Sequence, residues 1–79
     1  MAIKGSVKPL ESVGDRLKYL RLVNGMLQKD IERELLITDK RVSALEHDYT
    51  ELFNSELIAY ARYFKVTPAW ILTGSDVIE

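Results

Sequence analysis

Apolar residues recur every three or four positions along most of the chain, which is the spacing of one face of an α-helix. The first such series consists of Val13, Leu17, Leu20 and Val23. Ser12 precedes it, with Asp15 three residues further on as in a capping box, and Gly25 supplies a left-handed position after the last turn. The cations expected largely outside the buried face of this first helix are Arg16, Lys18 and Arg21.

Residues 28–46 predict two short helices joined by a tight turn at Leu36. The buried positions expected in the two helices are Ile31, Leu35, Val42 and Leu45. Thr38 stands where a hydroxyl would cap the second of these helices. The residues expected around its outer faces are Asp39, Lys40, Arg41, Ser43 and Ala44. Such a pair is a device for presenting one helix to something outside the protein.

The remaining periodic segments predict two more helices. Ser55 opens a fourth helix, whose apolar positions are Leu57, Tyr60, Ala61 and Phe64. Pro68 suits the first position of a final helix that carries Ile71 and Leu72 and stops at Gly74. Since the chain shows no β alternation of any length, we expect an all-α fold, a compact bundle of five short helices.

The domain boundaries follow from where the periodicity begins and ends. Residues 1–11 carry Lys4 and Lys8 but no apolar period, which predicts a flexible N-terminal arm. Residues 12–75 hold the predicted helical domain, and residues 76–79 form a C-terminal tail. Tyr49, Leu52 and Phe53 are apolar on a predicted connection, where they either fill the edge of the core or mark a dimer contact.

Composition excludes several classes of function. The chain has 79 residues, 47% of them hydrophobic, and no cysteine, which rules out disulfides and thiolate metal sites. It has neither an apolar run of membrane-spanning length nor a signal-peptide core, so we expect a cytoplasmic protein. His47 is the only histidine, and no serine or cysteine near it is placed as a nucleophile. We therefore expect no enzymatic activity, no metal and no cofactor.

The distribution of charge is more informative than its total of −1. Residues 1–41 contain nine basic and six acidic residues, a net charge of +3, whereas residues 42–79 contain two basic and six acidic residues, a net charge of −4. A chain polarised in this way can approach a polyanion by one face. Chance asymmetry in a small domain would give the same pattern.

Residues 13–76 resemble the phage repressor and Cro family of helix-turn-helix domains, also called lambda-repressor-like or XRE domains. The matching positions on the first three predicted helices and their turns are Gly14, Leu17, Leu20, Arg21, Gly25, Gln28, Ile37, Thr38, Val42, Ser43, Leu45 and Glu46. The ending resembles the family as well, and consists of residues 66–72 followed by Gly74. No single dipeptide is specific, but the ordered set at fixed spacing is.

The resemblance implies a sequence-specific regulator that binds double-stranded DNA as a homodimer, with the third helix in the major groove. It implies that Gln28 binds a phosphate, and that Arg21 and Glu46 form a structural salt bridge. The DNA-binding residues expected on this basis are Gln28, Lys29, Thr38, Asp39, Lys40, Arg41, Ser43 and Ala44. Lys40 or Arg41 would donate to guanine, and Asp39 would accept from cytosine.

Four positions depart from the family pattern. Three of them, Glu32, Asp48 and Glu51, favour an alternative, an antirepressor-like or antitoxin-like protein-interaction module on the same fold that has weakened or lost DNA binding. Glu32 stands where relatives carry a small residue against the third helix, so it would bend outward or push the helices apart, and Lys40 or Arg41 could pair with it. Leu36 replaces glycine at the turn, where a left-handed backbone would be tolerable if the leucine side chain were buried. The remaining departures, both acidic and close to an expected phosphate position, are Asp48 and Glu51.

Overall fold

The computed structural model describes residues 10–75, so most of the predicted arm, with Lys4 and Lys8, and the predicted tail lie outside the described residues. Over this range the chain forms five helices and no strand, which confirms the all-α prediction. In chain order the helices are α1 (Val13–Val23), α2 (Gln28–Leu35), α3 (Asp39–Glu46), α4 (Asn54–Phe64) and α5 (Pro68–Thr73).

Side-chain caps set the start of each helix. The hydroxyls of Ser12, Thr38 and Thr67 each accept the backbone N–H three residues further on, over 3.0, 3.2 and 3.0 Å. Two helices are capped in the opposite sense, since the carboxylates of Asp30 and Glu56 accept the N–H three residues before them, over 2.7 and 2.8 Å. The second of these caps starts α4 at residue 54, one residue before the predicted start.

The core is drawn from all five helices and matches most of the predicted positions. Its fully buried side chains are Leu17, Ile31, Val42, Leu45, Tyr60 and Ile71. Two apolar residues predicted on helix faces are about half exposed instead, Val23 at 56% and Leu72 at 48%. Both lie in the last turn of their helix, α1 before the turn at Gly25 and α5 before its cap at Gly74.

The prediction that Arg16 lies outside the buried face is wrong. Its side chain is 4% exposed and its guanidinium donates to the carbonyl oxygens of Ile71, Leu72 and Leu10, over 2.7, 3.1 and 2.7 Å. The last carbonyls of a helix have no partner within the helix and carry its negative dipole end. Arg16 therefore fastens the C-terminal end of α5 to α1, which apolar periodicity does not reveal.

Gly14 lets the start of α1 press against the end of α3. A Cβ at this position would lie 2.6 Å from the carbonyl oxygens of Leu45 and Glu46. Asp48 has a left-handed backbone, with φ of 60°. Its carboxylate accepts hydrogen bonds from the Gly14 backbone N–H over 2.9 Å and from the Ser12 hydroxyl over 2.6 Å. The glycine is thus required by backbone-to-backbone packing, and Asp48 binds the positive end of the α1 dipole.

We expect Gly14→Ala to destabilise the fold by about 3 kcal/mol, because the two carbonyl groups that a methyl would meet cannot rotate away. Urea unfolding followed by circular dichroism would measure the change. Gly25→Ala is the matched control, because its Cβ would meet no atom within 4 Å although φ is +67°. That strain alone costs roughly 1 kcal/mol, so equal losses in the two variants would contradict the packing argument.

Candidate nucleic-acid interface

Helix α3 has one buried face and one outward face. Its buried residues are Val42, Leu45 and Glu46. At 100° per residue the opposite face carries Lys40, Ser43, Ala44 and His47. Lys40 and His47 are exposed, while Ser43 and Ala44 are partly buried between them. We call these four residues the outward stripe of α3.

His47 is not among the DNA-binding residues predicted from the sequence, because it lies just beyond the predicted helix pair of residues 28–46. The backbone N–H of His47 donates to the Ser43 carbonyl over 3.1 Å, so the helical hydrogen-bonding pattern of the backbone still includes this residue. The sequence does contain a signal for His47: it lies seven residues after Lys40, and residues seven apart lie on one face of a helix.

A buried ion pair holds α3 in place beneath this stripe. The guanidinium of Arg21 donates to both carboxylate oxygens of Glu46, over 2.7 and 2.9 Å, and to the carbonyl of Met26 over 2.9 Å. Gln28 adds a bond from its side-chain amide to the same carboxylate over 3.2 Å. Arg21 and Glu46 are only 8% and 6% exposed, so the expectation that Arg21 lies outside the buried face is wrong.

The first residues of α2 and α3 meet on the outer surface. The ammonium of Lys29 lies 3.2 Å from a carboxylate oxygen of Asp39, and the Lys29 side chain is 78% exposed. Gln28, the residue before Lys29, donates a side-chain hydrogen bond to Glu46, and the hydroxyl of Thr38 caps the N-terminus of α3. The Lys29–Asp39 contact thus joins the exposed N-terminal ends of α2 and α3, while Gln28 is attached to the last residue of α3.

Arg41 lies on the flank of α3 that faces α4, not on the outward stripe. Its guanidinium pairs with the carboxylate of Glu56, donates to the Glu51 carbonyl over 3.0 Å, and covers the Phe53 ring at 4.2 Å from the ring centroid. A guanidinium engaged in this way has a structural role, so the structure favours Lys40 over Arg41 as the cation offered to a partner.

The turn between α2 and α3 differs from the sequence expectation in two ways. Leu36 has a left-handed backbone, with φ of 62°, but its side chain is 87% exposed, so the burial that would make this conformation tolerable is absent. The carboxylate of Glu32 accepts the N–H of Asp39 over 3.3 Å, and no ion pair to Lys40 or Arg41 forms within residues 10–75. Glu32 therefore occupies the positive end of α3 and does not push the helices apart.

Of the two acidic side chains on the connection after α3, that of Asp48 is bound within the protein and that of Glu51 is exposed. The carboxylate of Asp48 is directed at α1, where two donors bind it, and Glu51 contributes its carbonyl to Arg41. Leu52 packs against the core, whereas Tyr49 and Phe53 are 79% and 61% exposed. The core-edge interpretation therefore holds for Leu52.

Within residues 10–75 no group of three histidine or acidic side chains is arranged to hold a metal ion. None of the described helices is long and apolar enough to cross a membrane.

Comparisons with known proteins agree with this geometry. A family model described as a helix-turn-helix domain matches residues 14–77. A crystal structure of the P22 c2 repressor protein, in complex with synthetic operator 9T in the presence of Tl+, shares the fold with a TM-score of 0.78 at 20% sequence identity. The likeness covers 82% of this chain and 98% of that chain. No curated protein sequence matches the chain.

We expect stability to fall in acid through Glu56. Burial opposes its ionisation, but the hydrogen bonds from Arg41 and from the Phe53 N–H, together with the Arg41 charge, hold the pKa of Glu56 below its ordinary value of 4.5. The folded protein then binds fewer protons than the unfolded chain, so this stabilisation is complete above about pH 4.5 and is lost as the pH falls through the lower, folded value.

Urea midpoints of the wild type and Glu56→Gln would measure this effect. The variant should be less stable at neutral pH, and the difference should shrink as the pH falls through the lowered, folded pKa of Glu56, because the wild-type carboxylate then becomes protonated. Glu51→Gln, whose side chain is exposed, serves as the control. A difference between Glu56→Gln and the wild type that does not change with pH would contradict the assignment.

Proposed function

We propose that this chain, which belongs to the helix-turn-helix domain family, is a sequence-specific regulator of transcription that binds double-stranded DNA. The observation that carries the proposal is the outward stripe of α3, which the Arg21–Glu46 ion pair holds beside the first residues of α2. A repressor of the same fold is bound to a synthetic operator in its crystal structure, which supports DNA as the partner.

The outward stripe suits the chemistry of the major groove. Lys40 would donate to the O6 and N7 acceptors of guanine, Ser43 would donate or accept, and the methyl group of Ala44 would pack on a thymine methyl. Asp39 would accept from the amino group of cytosine, because its pairing with Lys29 occupies only one of its two carboxylate oxygens. The residues proposed to contact bases are therefore few, and they begin at the N-terminal end of α3.

The start of α2 suits a DNA phosphate. Gln28 opens a helix of eight residues, and its amide is already oriented by Glu46. Lys29 adds an exposed cation beside it. Backbone contacts of this kind set the register of the protein on the duplex, while the stripe reads the bases.

We further propose that the chain acts as a homodimer, as a cytoplasmic repressor or Cro-like regulator of phage type. Two copies related by a twofold axis would place their α3 helices in successive major grooves about 34 Å apart, on an approximately palindromic site. Occupying a promoter in this way is sufficient to regulate it.

A protein-interaction module remains the second candidate function, and Leu36 favours it. A left-handed leucine costs roughly 1 kcal/mol, and with 87% of its side chain exposed it recovers little of that within the chain. It borders an open groove with an accessible volume of about 360 Å³, between the turn, α3 and α4.

Binding to random-sequence duplex as a function of salt distinguishes the two candidates. DNA binding predicts an affinity that falls steeply with salt, by about 0.9 logarithmic units per tenfold change in salt for each phosphate contact. Selection from a random duplex library would then give the site and its half-site spacing. Failure to bind any duplex at low salt would leave the interaction module as the explanation.

Lys40→Ala and Arg41→Ala should distinguish a residue that contacts DNA bases from one that stabilises the fold. We expect Lys40→Ala to weaken binding to the selected site by about 1–3 kcal/mol, with an unchanged urea midpoint. Arg41→Ala should lower the midpoint, because it removes the link to Glu56. Arg62→Ala, an exposed cation on α4, is the control for a loss of charge alone. Unchanged affinity in Lys40→Ala would show that the stripe is not the reading surface.

A further inference from the structure

The imidazole of His47 is held in one tautomer. Its Nδ1 lies 2.8 Å from the carbonyl oxygen of Ser43. A carbonyl oxygen only accepts hydrogen bonds, so Nδ1 must carry the hydrogen and donate it. In the neutral ring the other nitrogen, Nε2, is then an acceptor, and it can become a donor only when the ring takes up a second proton.

The ring is also fixed in position on the outward stripe. It stacks on Tyr49, with centroids 5.2 Å apart and an angle of 21° between the planes. Tyr49 is 79% exposed, so the pair forms an exposed aromatic step at the C-terminal end of α3. His47 lies on the same helix face as Lys40, two turns further along.

Phosphate oxygens accept hydrogen bonds and carry negative charge. A neutral His47 would present a lone pair to a phosphate beside this step, which gives no hydrogen bond, whereas the protonated ring would present an N–H donor and a positive charge. We propose that His47, supported by Tyr49, is a proton-dependent contact to a DNA phosphate, so that protonation of this one side chain tightens DNA binding. The inference rests on the proposed function and adds its regulation by pH.

Two of the charged groups around His47 are bound within the protein. The carboxylate of Glu46 is bound by Arg21 and Gln28, and that of Asp48 by Ser12 and the Gly14 N–H. Helical register places the exposed Lys18 on the α1 face that meets the end of α3, and Glu51 lies on the connection beyond it.

His47 is the C-terminal cap of α3, where the helix dipole is negative. Histidine is the side chain that changes charge between pH 5 and 8, and the chain has no other histidine.

The test is the affinity for a random-sequence duplex at fixed ionic strength, at pH 5.5 and at pH 7.5. For the wild type we expect binding to be roughly three- to tenfold tighter at the lower pH, and the salt slope to be larger there by about 0.9, the value for one added phosphate contact. His47→Gln should bind with the weaker affinity at both pH values. His47→Arg should bind tightly at both, because its charge does not titrate.

Variants of Tyr49 test the supporting ring. Tyr49→Phe keeps an aromatic ring under the imidazole and should retain the pH dependence, whereas Tyr49→Ser should reduce it. Circular dichroism at both pH values would show that the fold is intact.

The possible failures are distinguishable. Absence of duplex binding at every pH would overturn the proposed function. Binding that does not change with pH would overturn only the role of His47. Tighter binding at the higher pH would also overturn it, because Nε2 would then be accepting a hydrogen bond from a base amino group.

Discussion

The bidentate ion pair between Arg21 and Glu46 is the interaction on which the arrangement of this domain depends. It joins α1 to α3 in the interior, and the same two side chains also bind the Met26 carbonyl and the Gln28 amide. One cluster therefore fixes three helices relative to one another. A buried ion pair contributes little net stability compared with apolar packing of the same volume, but it tolerates few geometries. Its consequence here is the fixed orientation of the outward stripe.

The net charge of −1 is a poor guide to this surface, because many of the acids are occupied within the protein. The carboxylates of Glu32, Asp48 and Glu56 bind backbone N–H groups at the starts of α3, α1 and α4, and Glu46 is buried against Arg21. Each therefore acts at a helix end or in the interior, where the local positive potential compensates its charge. An anionic partner would meet mainly Lys40, Lys29 and the rings after α3.

Several side chains that look alike in the sequence have different roles in the fold. Arg16, Arg21 and Arg41 each bind groups on another helix or a connection, whereas Lys40 is exposed. A long basic side chain can reach a carbonyl or carboxylate on another helix or extend into water, and local sequence does not state which partner lies within reach. For the same reason the resemblance to helix-turn-helix proteins predicted the surface but ranked Arg41 and Lys40 equally.

The sequence by itself determined the number, order and approximate bounds of the helices, because apolar spacing, hydroxyl caps and glycine stops act within a few residues of one another. It also determined most of the core and, through its likeness to a family, the helix-turn-helix arrangement. Only the tertiary structure decided that Arg16 closes α5, that Asp48 turns toward α1, that Leu36 is exposed, and that His47 extends the stripe. Each of these depends on how far a helix continues or on which group lies opposite it, and such distances are set by packing across the whole domain.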